Sequence, residues 1–384
     1  MQHGQGSRGL HKRVYFLSGF DPRGSSFYYR LFVEQLQRYA GWTGRALSVS
    51  RRRGQKDPLV SSWQVVEAGS ASDATADVKL EVCFLHWDDI ARQNWPKNPF
   101  RLIWDGVGMY AWYLFGGGVV QIARWSPFSA LCGLWPLMFF TFWVALMLAA
   151  ALAVAHWLSP WLAPVVAAAL VVLAWRLAEL QGVVWLWRSI RFTHLLGRAR
   201  DTALRQRMAE LAERVVAIER SAPAERIQLV GHSSGSFVMA MLAAQLRRHP
   251  AFATELAPRL SLMSLGQNLA NLAVHKGAVA FHDDLRSLAV VPRIPWRDIT
   301  SRDDFLCFAA VDPYRSCRLS IEPPAYPQLE LMQLAPRLGL QQPWELLFHQ
   351  FPLHFQYLQT AEPGRRGGFD YFEELLGAEH DCIH

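Results

Sequence analysis

A serine lies between two glycines in the run Gly231-His232-Ser233-Ser234-Gly235, after an apolar strand-like segment and before a helix-like one. A tight turn here would strain the backbone of Ser233 and present its hydroxyl above a sheet, while the glycines let strand and helix pack closely. The pattern predicts that Ser233 attacks an acyl carbon and that the Ser234 amide donates to the resulting oxyanion. An ordinary glycine-rich turn is the alternative; a phosphate loop is disfavoured because no Gly-Lys-Ser/Thr follows.

This segment resembles the nucleophile turn of the α/β-hydrolase superfamily, and the resemblance covers the chain on both sides of a long apolar stretch. It implies a triad in the chain order nucleophile, acid, histidine. The acid should follow a late strand. Asp304 has the family spacing after the strand-like run 294–300, and it is favoured over Asp303 and Asp312.

The same resemblance places the triad histidine near the end of the chain. His354 directly precedes a helix-like segment, as the family histidine often does, and it is favoured over His349. His380 and His384 lie in the terminal tail. In the implied mechanism His354 takes the proton of the serine, and the acid holds the imidazole in the correct tautomer.

The other half of the oxyanion hole should come from the loop after the strand-like run 12–18. This loop resembles the His-Gly loop of the family but has Ser18-Gly19-Phe20 in its place. The amide of Phe20 or of Asp21 would be the second donor, because Pro22 has no N–H. Three roles stay open for Arg23: binding of an anionic group of the substrate, a salt bridge to Asp21, or a surface role.

Other residues with chemical potential are interpreted as structural. His232 is part of the serine run, but its position beside the serine points its ring away. The run His86-Trp87-Asp88-Asp89 ends a strand, and the further ligands that a metal site would need are not found. Five cysteines without a CxxC pair indicate neither a disulfide framework nor a zinc site. We expect no cofactor and no metal.

The middle of the chain is unusually apolar. No Asp, Glu, Lys or Arg occurs from Trp125 to Trp175, and a bilayer core needs about 20 residues per helix. The run therefore predicts two transmembrane helices, about 129–158 and 163–180, joined by a tight turn. A hydrophobic hairpin buried in a soluble protein is the alternative, and 106–120 is a candidate re-entrant or interfacial segment.

Charges around this apolar run predict its orientation. Arginines lie on both flanks and none lies in the connecting turn, so both flanks are expected on the cytoplasmic side. The first thirteen residues lack the apolar stretch of a signal peptide. We expect an integral protein of a bacterial-type inner membrane, with its soluble domain and both termini cytoplasmic. The net charge is +7, but the basic residues form no nucleic-acid module, so no nucleic-acid partner is expected.

Outside the apolar run, strand-like and helix-like segments alternate, which predicts an α/β fold with a mainly parallel sheet covered by helices. The strand-like runs are 12–18, 78–87, 227–231, 260–265 and 294–300, and the helix-like runs are 25–39, 201–220 and 234–248. The domain prediction is a first part of the hydrolase domain at 1–100, a membrane insertion at 101–198, and a second part at 199–384.

Together these patterns predict a membrane-anchored serine hydrolase that cleaves an ester or related acyl bond of a lipidic or amphipathic substrate. Two alternatives stay open. The same residues could transfer the acyl group to an acceptor other than water, or the chain could be a non-catalytic membrane scaffold with a hydrolase-like fold. The sequence does not predict the substrate's identity or the oligomeric state.

Overall fold

Eight strands form one mixed sheet in a computed structural model of the protein, which describes residues 10–54, 56–67, 77–320 and 327–377. Their order across the sheet is β2-β3-β4-β1-β5-β6-β7-β8. The strands are β1 (Leu10–Leu17), β2 (Leu47–Val49), β3 (Val60–Glu67), β4 (Asp77–Leu85), β5 (Ala224–His232), β6 (Leu260–Leu265), β7 (Trp296–Thr300) and β8 (Gln328–Leu331).

The five pairings from β4 through β1 to β8 are parallel, and only β2–β3 and β3–β4 are antiparallel among the described strands. The predicted α/β class and mostly parallel sheet are therefore confirmed. The sequence analysis missed β2, β3 and β8. β2 and β8 have only 3 and 4 residues, which is too short for a periodic pattern. β3 was missed because the prediction alternates strands with helices, whereas β3 and β4 are antiparallel neighbours, a pairing that needs no helix between the strands.

Helices cover the sheet or form the apolar part of the chain. They are α1 (Ser25–Thr43), α2 (Asp88–Gln93), α3 (Pro99–Phe115), α4 (Gly118–Ala123), α5 (Pro127–Trp157), α6 (Ala163–Leu180), α7 (Val183–Leu196), α8 (Thr202–Ser221), α9 (Gly235–Arg248), α10 (Leu269–Ala273), α11 (Val279–Ala289), α12 (Pro313–Ser316), α13 (Gln350–Phe355) and α14 (Tyr371–Leu376). A π-helical turn spans Phe252–Leu256, and 3-10 turns span Ala257–Arg259, Ala335–Leu338, Pro343–Phe348, Gln356–Leu358 and Pro363–Arg365.

The chain divides into two compact units, one of residues 1–93 with 197–384 and the other of residues 94–196. The first unit contains the whole sheet. Its central strand β1 is buried on both faces, with Val14 and Phe16 in one core and Tyr15 and Leu17 on the opposite side. A strand that is apolar on both faces is typical of the centre of a parallel sheet, because helices cover both sides.

Among the described residues, two helices are long and apolar enough to cross a bilayer, and both of them, α5 and α6, belong to the second unit. Only 6% and 11% of their most apolar stretches are buried, so they are not core helices of a soluble domain. α5 begins earlier than expected because Ser126 accepts a hydrogen bond from the Ser129 amide as N-cap and Pro127 fills the first turn. The candidate re-entrant segment 106–120 falls on α3 and α4, with a break at Gly117, whose φ is 78°.

Candidate active site

Ser233 lies in a sharp turn between the end of β5 and the start of α9. Its φ of 58° is in the left-handed region, which costs a residue with a side chain about 1–2 kcal/mol. The two flanking glycines make the turn possible. A Cβ on Gly231 would lie 2.5 Å from the Gly235 carbonyl oxygen, and a Cβ on Gly235 would lie 2.2 Å from that of Leu17. The Ser233 amide donates to the Leu265 carbonyl at 2.9 Å, which fastens the turn to β6.

His354 and Asp304 form a buried pair, with Nδ1 of the ring 2.7 Å from Oδ2 of the carboxylate. The other carboxylate oxygen accepts from the Leu306 amide at 3.0 Å, and the Tyr357 ring packs edge-on against the His354 ring, with centroids 6.2 Å apart. Nε2 of His354 is buried and has no hydrogen-bond partner among the described residues. The pair is therefore an oriented imidazole whose second nitrogen remains open to a proton.

The sequence pattern places His354 directly before a helix, but in the structure His354 lies in the last turn of α13. The helix begins at Gln350 because Pro352 still falls within its first turn, where a missing N–H costs nothing. His354 approaches the serine turn through His232: their ring centroids are 4.9 Å apart, and His232 Nε2 lies 2.9 Å from the His354 carbonyl oxygen. The serine hydroxyl makes no hydrogen bond to His354; it accepts one at 3.3 Å from the Asn268 side chain.

His232 connects the end of β5 to α13. Because Nε2 faces a carbonyl oxygen, it must carry the proton and donate. Burial, reinforced by the neighbouring His354, lowers the pKa of His232 to about 3. The ring is therefore neutral at physiological pH, and it orients the backbone of the proposed base.

The competing acids and the competing histidine have other partners. Asp303 accepts from the amides of Leu334 and Ala335 at 2.8 and 2.9 Å, Asp312 caps α12, and the His349 ring contacts the Glu345 carbonyl oxygen at 2.8 Å. Of these candidates, the structure brings only Asp304 to His354. His380 and His384 lie outside the described residues.

The loop after β1 passes directly beside the serine. A Cβ on Gly19 would be 3.0 Å from Cβ of Ser233 and 3.4 Å from its Oγ, so glycine permits this close approach. Phe20 and Asp21, the predicted oxyanion residues, follow at once and are buried. Ser234, the other predicted donor, is the N-cap residue of α9.

Arg23 pairs with the buried Asp21 carboxylate, with distances of 2.9 and 2.5 Å from Nε and Nη2 to Oδ2. Its guanidinium also stacks 3.6 Å from the Phe27 ring centroid and lies 5.0 Å from that of Phe355, the residue after His354. Of the three expectations for Arg23, the salt bridge to Asp21 is found. The pair stiffens the loop that contains the proposed oxyanion donors.

Three side chains of the site were missed by sequence reasoning. They are Asn268 beside the serine hydroxyl, Tyr357 against the His354 ring, and Gln350, which accepts from the Phe305 amide at 2.5 Å and donates to the Asp303 carbonyl at 3.1 Å. A signal for Asn268 existed: it lies three residues after the strand-like run 260–265, and the carboxyl ends of parallel strands share one edge of a sheet. Tyr357 and Gln350 gave no comparable signal.

A second Ser-His-Asp set lies elsewhere in the same unit. Ser61 Oγ on β3 is 2.9 Å from His86 Nε2, and His86 Nδ1 is 2.9 Å from Asp88 Oδ1. Ser61 also bonds to the Gly54 carbonyl at 3.3 Å. The run 86–89, interpreted above as structural, therefore takes part in a closed network.

Within the described ranges, no group of three or more His, Cys, Asp or Glu side chains is placed to hold a metal ion. None of the four described cysteines, residues 83, 132, 307 and 317, forms a disulfide bond with another described cysteine. No protein-family model matches the chain, and no curated protein or solved structure is significantly similar to it.

Proposed function

We propose that the protein is a membrane-anchored serine hydrolase of the α/β-hydrolase type. The observation that carries this proposal is the arrangement at the carboxyl edge of the sheet. A serine in a strained turn follows His232, which contacts a buried imidazole whose Nδ1 is held by a carboxylate and whose Nε2 is unpaired among the described residues. Strain of this kind persists only where the surrounding structure enforces it, and it is concentrated at functional sites.

In the proposed reaction, Ser233 Oγ attacks the carbonyl carbon of an ester, and its proton passes to Nε2 of His354. The carbonyl π electrons move to oxygen, where amides of the serine turn and of the loop after β1 stabilise the charge. Asp304 stabilises the imidazolium that forms. The imidazolium then gives its proton to the leaving alkoxide as the C–O bond breaks, and water hydrolyses the acyl-enzyme by the same steps.

The membrane part of the proposal is supported by α5 and α6 and by the exposed face of α3. On α3 the large side chains of Phe100, Ile103, Trp104, Val107 and Phe115 are exposed, Phe115 by 89%. An exposed aromatic and aliphatic stripe on a helix too short to cross a bilayer is typical of an interfacial helix.

The opposite face of α3 packs within its own unit. Gly106 lies so close to Trp187 that a Cβ would be 2.3 Å from the indole Cζ2, and Asp105 pairs with Arg191 at 2.6 Å. The Asp105 carboxylate is thus turned inward, and the apolar stripe is left exposed for lipid. A bilayer surface concentrates amphipathic esters, so we propose a lipidic or amphipathic acyl ester as substrate.

The test uses the full chain, solubilised in detergent, and a fluorophosphonate probe that forms a covalent bond with an activated serine. Wild type should be labelled on the peptide that contains Ser233, and Ser233→Ala should not be labelled. Unlabelled wild type, or equal labelling of the two proteins, contradicts the proposal. Membrane anchoring is tested separately: intact chain in the soluble fraction of a detergent-free lysate contradicts it.

A further inference from the structure

The side chain of Asn268 points at the proposed nucleophile instead of serving its own helix. Asn268 is the N-cap residue of α10, a position where asparagine normally accepts a hydrogen bond from an amide of the first turn. No such side-chain cap is present. The carboxamide Nδ2 instead donates to Ser233 Oγ at 3.3 Å, across 35 positions of sequence. A local hydrogen bond is given up for a contact with the reacting atom.

The backbone of Asn268 is fixed relative to the serine turn. Its amide donates to Ser236 Oγ at 3.0 Å, and Ser236 Oγ donates to the Ser233 carbonyl at 2.6 Å. On the other side, the buried Gln267 donates to the Phe308 carbonyl at 2.9 Å. Asn268 itself is half-buried, so part of the residue reaches solvent although its backbone is held in place.

We propose that Asn268 is a catalytic residue, a side-chain oxyanion donor that holds the Ser233 hydroxyl in the resting enzyme; this rests on the serine hydrolase function proposed above. As the Oγ–C bond forms, the proton of Ser233 passes to Nε2 of His354 and the carbonyl π pair moves to oxygen. That oxygen is bonded to the carbon that Oγ attacks. It therefore develops beside the atom to which Nδ2 already donates, and Nδ2 transfers its hydrogen bond to it.

This transfer favours the transition state over the ground state. Before the attack, Nδ2 donates to a neutral hydroxyl; during it, the acceptor becomes an anion, and a hydrogen bond to an anion is about twice as strong. Only such a difference accelerates the chemical step. The proposed role of Asn268 also accounts for the unpaired Nε2 of His354. In the resting enzyme the Ser233 hydroxyl is hydrogen-bonded to Asn268, and it turns to His354 when substrate binds.

The experiment compares Asn268→Ala and Asn268→Asp with wild type, as full chains in detergent. Asp has the shape of Asn but presents acceptors where Nδ2 donates. The readouts are the second-order rate constant of fluorophosphonate labelling and the kcat and KM for p-nitrophenyl butyrate. We expect both variants to lose about 10²-fold in labelling rate and in kcat with KM little changed, and Asp to be no faster than Ala.

Asn271→Ala, on the same short helix, is the matched control and should label as wild type does. A purely structural role for Asn268 predicts that the isosteric Asp variant keeps wild-type kinetics, and that result overturns the proposal. Thermal midpoints show whether Asn268→Ala has lost its fold. If it has, the kinetics of Asn268→Asp alone test the proposal. If wild type is not labelled at all, the proposed hydrolase function fails together with the Asn268 proposal, whereas labelled wild type with fully active Asn268 variants removes only the latter.

Discussion

Two regions of the sheet-containing unit each combine a serine with a hydrogen-bonded His-Asp pair, yet they differ in their hydrogen bonds and in the backbone of the serine. One consists of Ser233 with the pair of His354 and Asp304, and we call it the turn site. The other consists of Ser61, His86 and Asp88, and we call it the strand site. In the strand site the hydrogen bonds are complete, with 2.9 Å at both ends of the imidazole. In the turn site Nε2 of the imidazole has no partner among the described residues.

The serines differ in backbone as well. Ser61 lies inside β3, where the next amide, that of Ser62, donates to the Arg53 carbonyl at 3.1 Å. An amide used in this way is not available to an oxyanion. Ser233 occupies a left-handed turn beside Gly19, and a 14-residue helix begins two residues later.

The aspartate of the strand site has more charged partners than that of the turn site, because Asp88 pairs with Arg92 as well as with His86. Although burial opposes its ionisation, His86 and Arg92 hold the pKa of Asp88 below its ordinary value, and Arg92 also donates to the Pro22 carbonyl at 3.2 Å. The strand site is therefore a network that joins β3, β4 and α2 to the loop after β1. The strand site satisfies its buried polar groups in the usual way. The strained serine and the unpaired nitrogen of the turn site are the features on which the proposed proton transfer rests.

Removal of each serine in turn should give the largest difference between the turn site and the strand site. Ser233→Ala should lower kcat toward p-nitrophenyl butyrate on the order of 10⁶-fold, because the nucleophile is lost. Ser61→Ala should keep kcat within about threefold of wild type. It should lose about 1 kcal/mol of folding stability, because His86 Nε2 loses its hydrogen bond to the Ser61 hydroxyl. Steady-state kinetics and thermal midpoints measure both effects. Comparable losses of activity in the two variants would contradict the distinction.

Replacing each acid by its amide sharpens the same contrast. Asp304→Asn should lower kcat by about 10⁴-fold, because the amide no longer fixes the tautomer of His354 that can accept the serine proton. Asp88→Asn should keep kcat within about tenfold but destabilise the fold by about 1–3 kcal/mol, because His86 and Arg92 lose a charged partner. If Asp88→Asn abolished turnover in a protein with a normal thermal midpoint, the strand site would have to be catalytic.

The candidates that sequence reasoning left beside the triad separate stability from activity. Asp303→Ala should keep kcat within about threefold and reduce stability by about 1–2 kcal/mol, because two amides at the start of a 3-10 turn lose their acceptor. His349→Ala should change kcat by no more than about threefold. Kinetics and thermal midpoints on the same preparations test this; a loss of activity in either variant that matched the Asp304 variant would reverse the assignment.

The smallest effect concerns His232 and appears as a pH dependence of stability. The folded-state pKa of about 3 lies below the ordinary value of 6.5, so the folded protein binds fewer protons between these values. The stability that the neutral ring contributes is complete above pH 6.5 and is lost as the pH falls towards 3. His232→Gln has no such titration, so the advantage of wild type over it should shrink by up to about 2 kcal/mol between pH 7.5 and 5. Thermal midpoints at several pH values measure the difference; a constant gap would contradict a buried neutral ring.

Much of this protein was determined by local sequence. The strand at Leu260–Leu265 has the bounds that its apolar run predicted, and the serine turn follows from two glycines between a buried strand and a helix. The second apolar helix, Ala163–Leu180, spans the predicted residues, because composition and length alone decide where a chain is apolar enough for lipid.

Only the tertiary structure decided which polar side chains meet. Asp303 and Asp304 are neighbours in one turn, but their carboxylates point in different directions, one to amides near residue 334 and the other to His354. The local spacing favoured Asp304, but the contact itself depends on where the chain returns 50 residues later. The same holds for Asn268, whose side chain leaves its own helix cap for Ser233. Periodicity reports which face of an element is apolar; contacts between polar groups far apart in sequence are fixed only when the sheet brings the strand ends together.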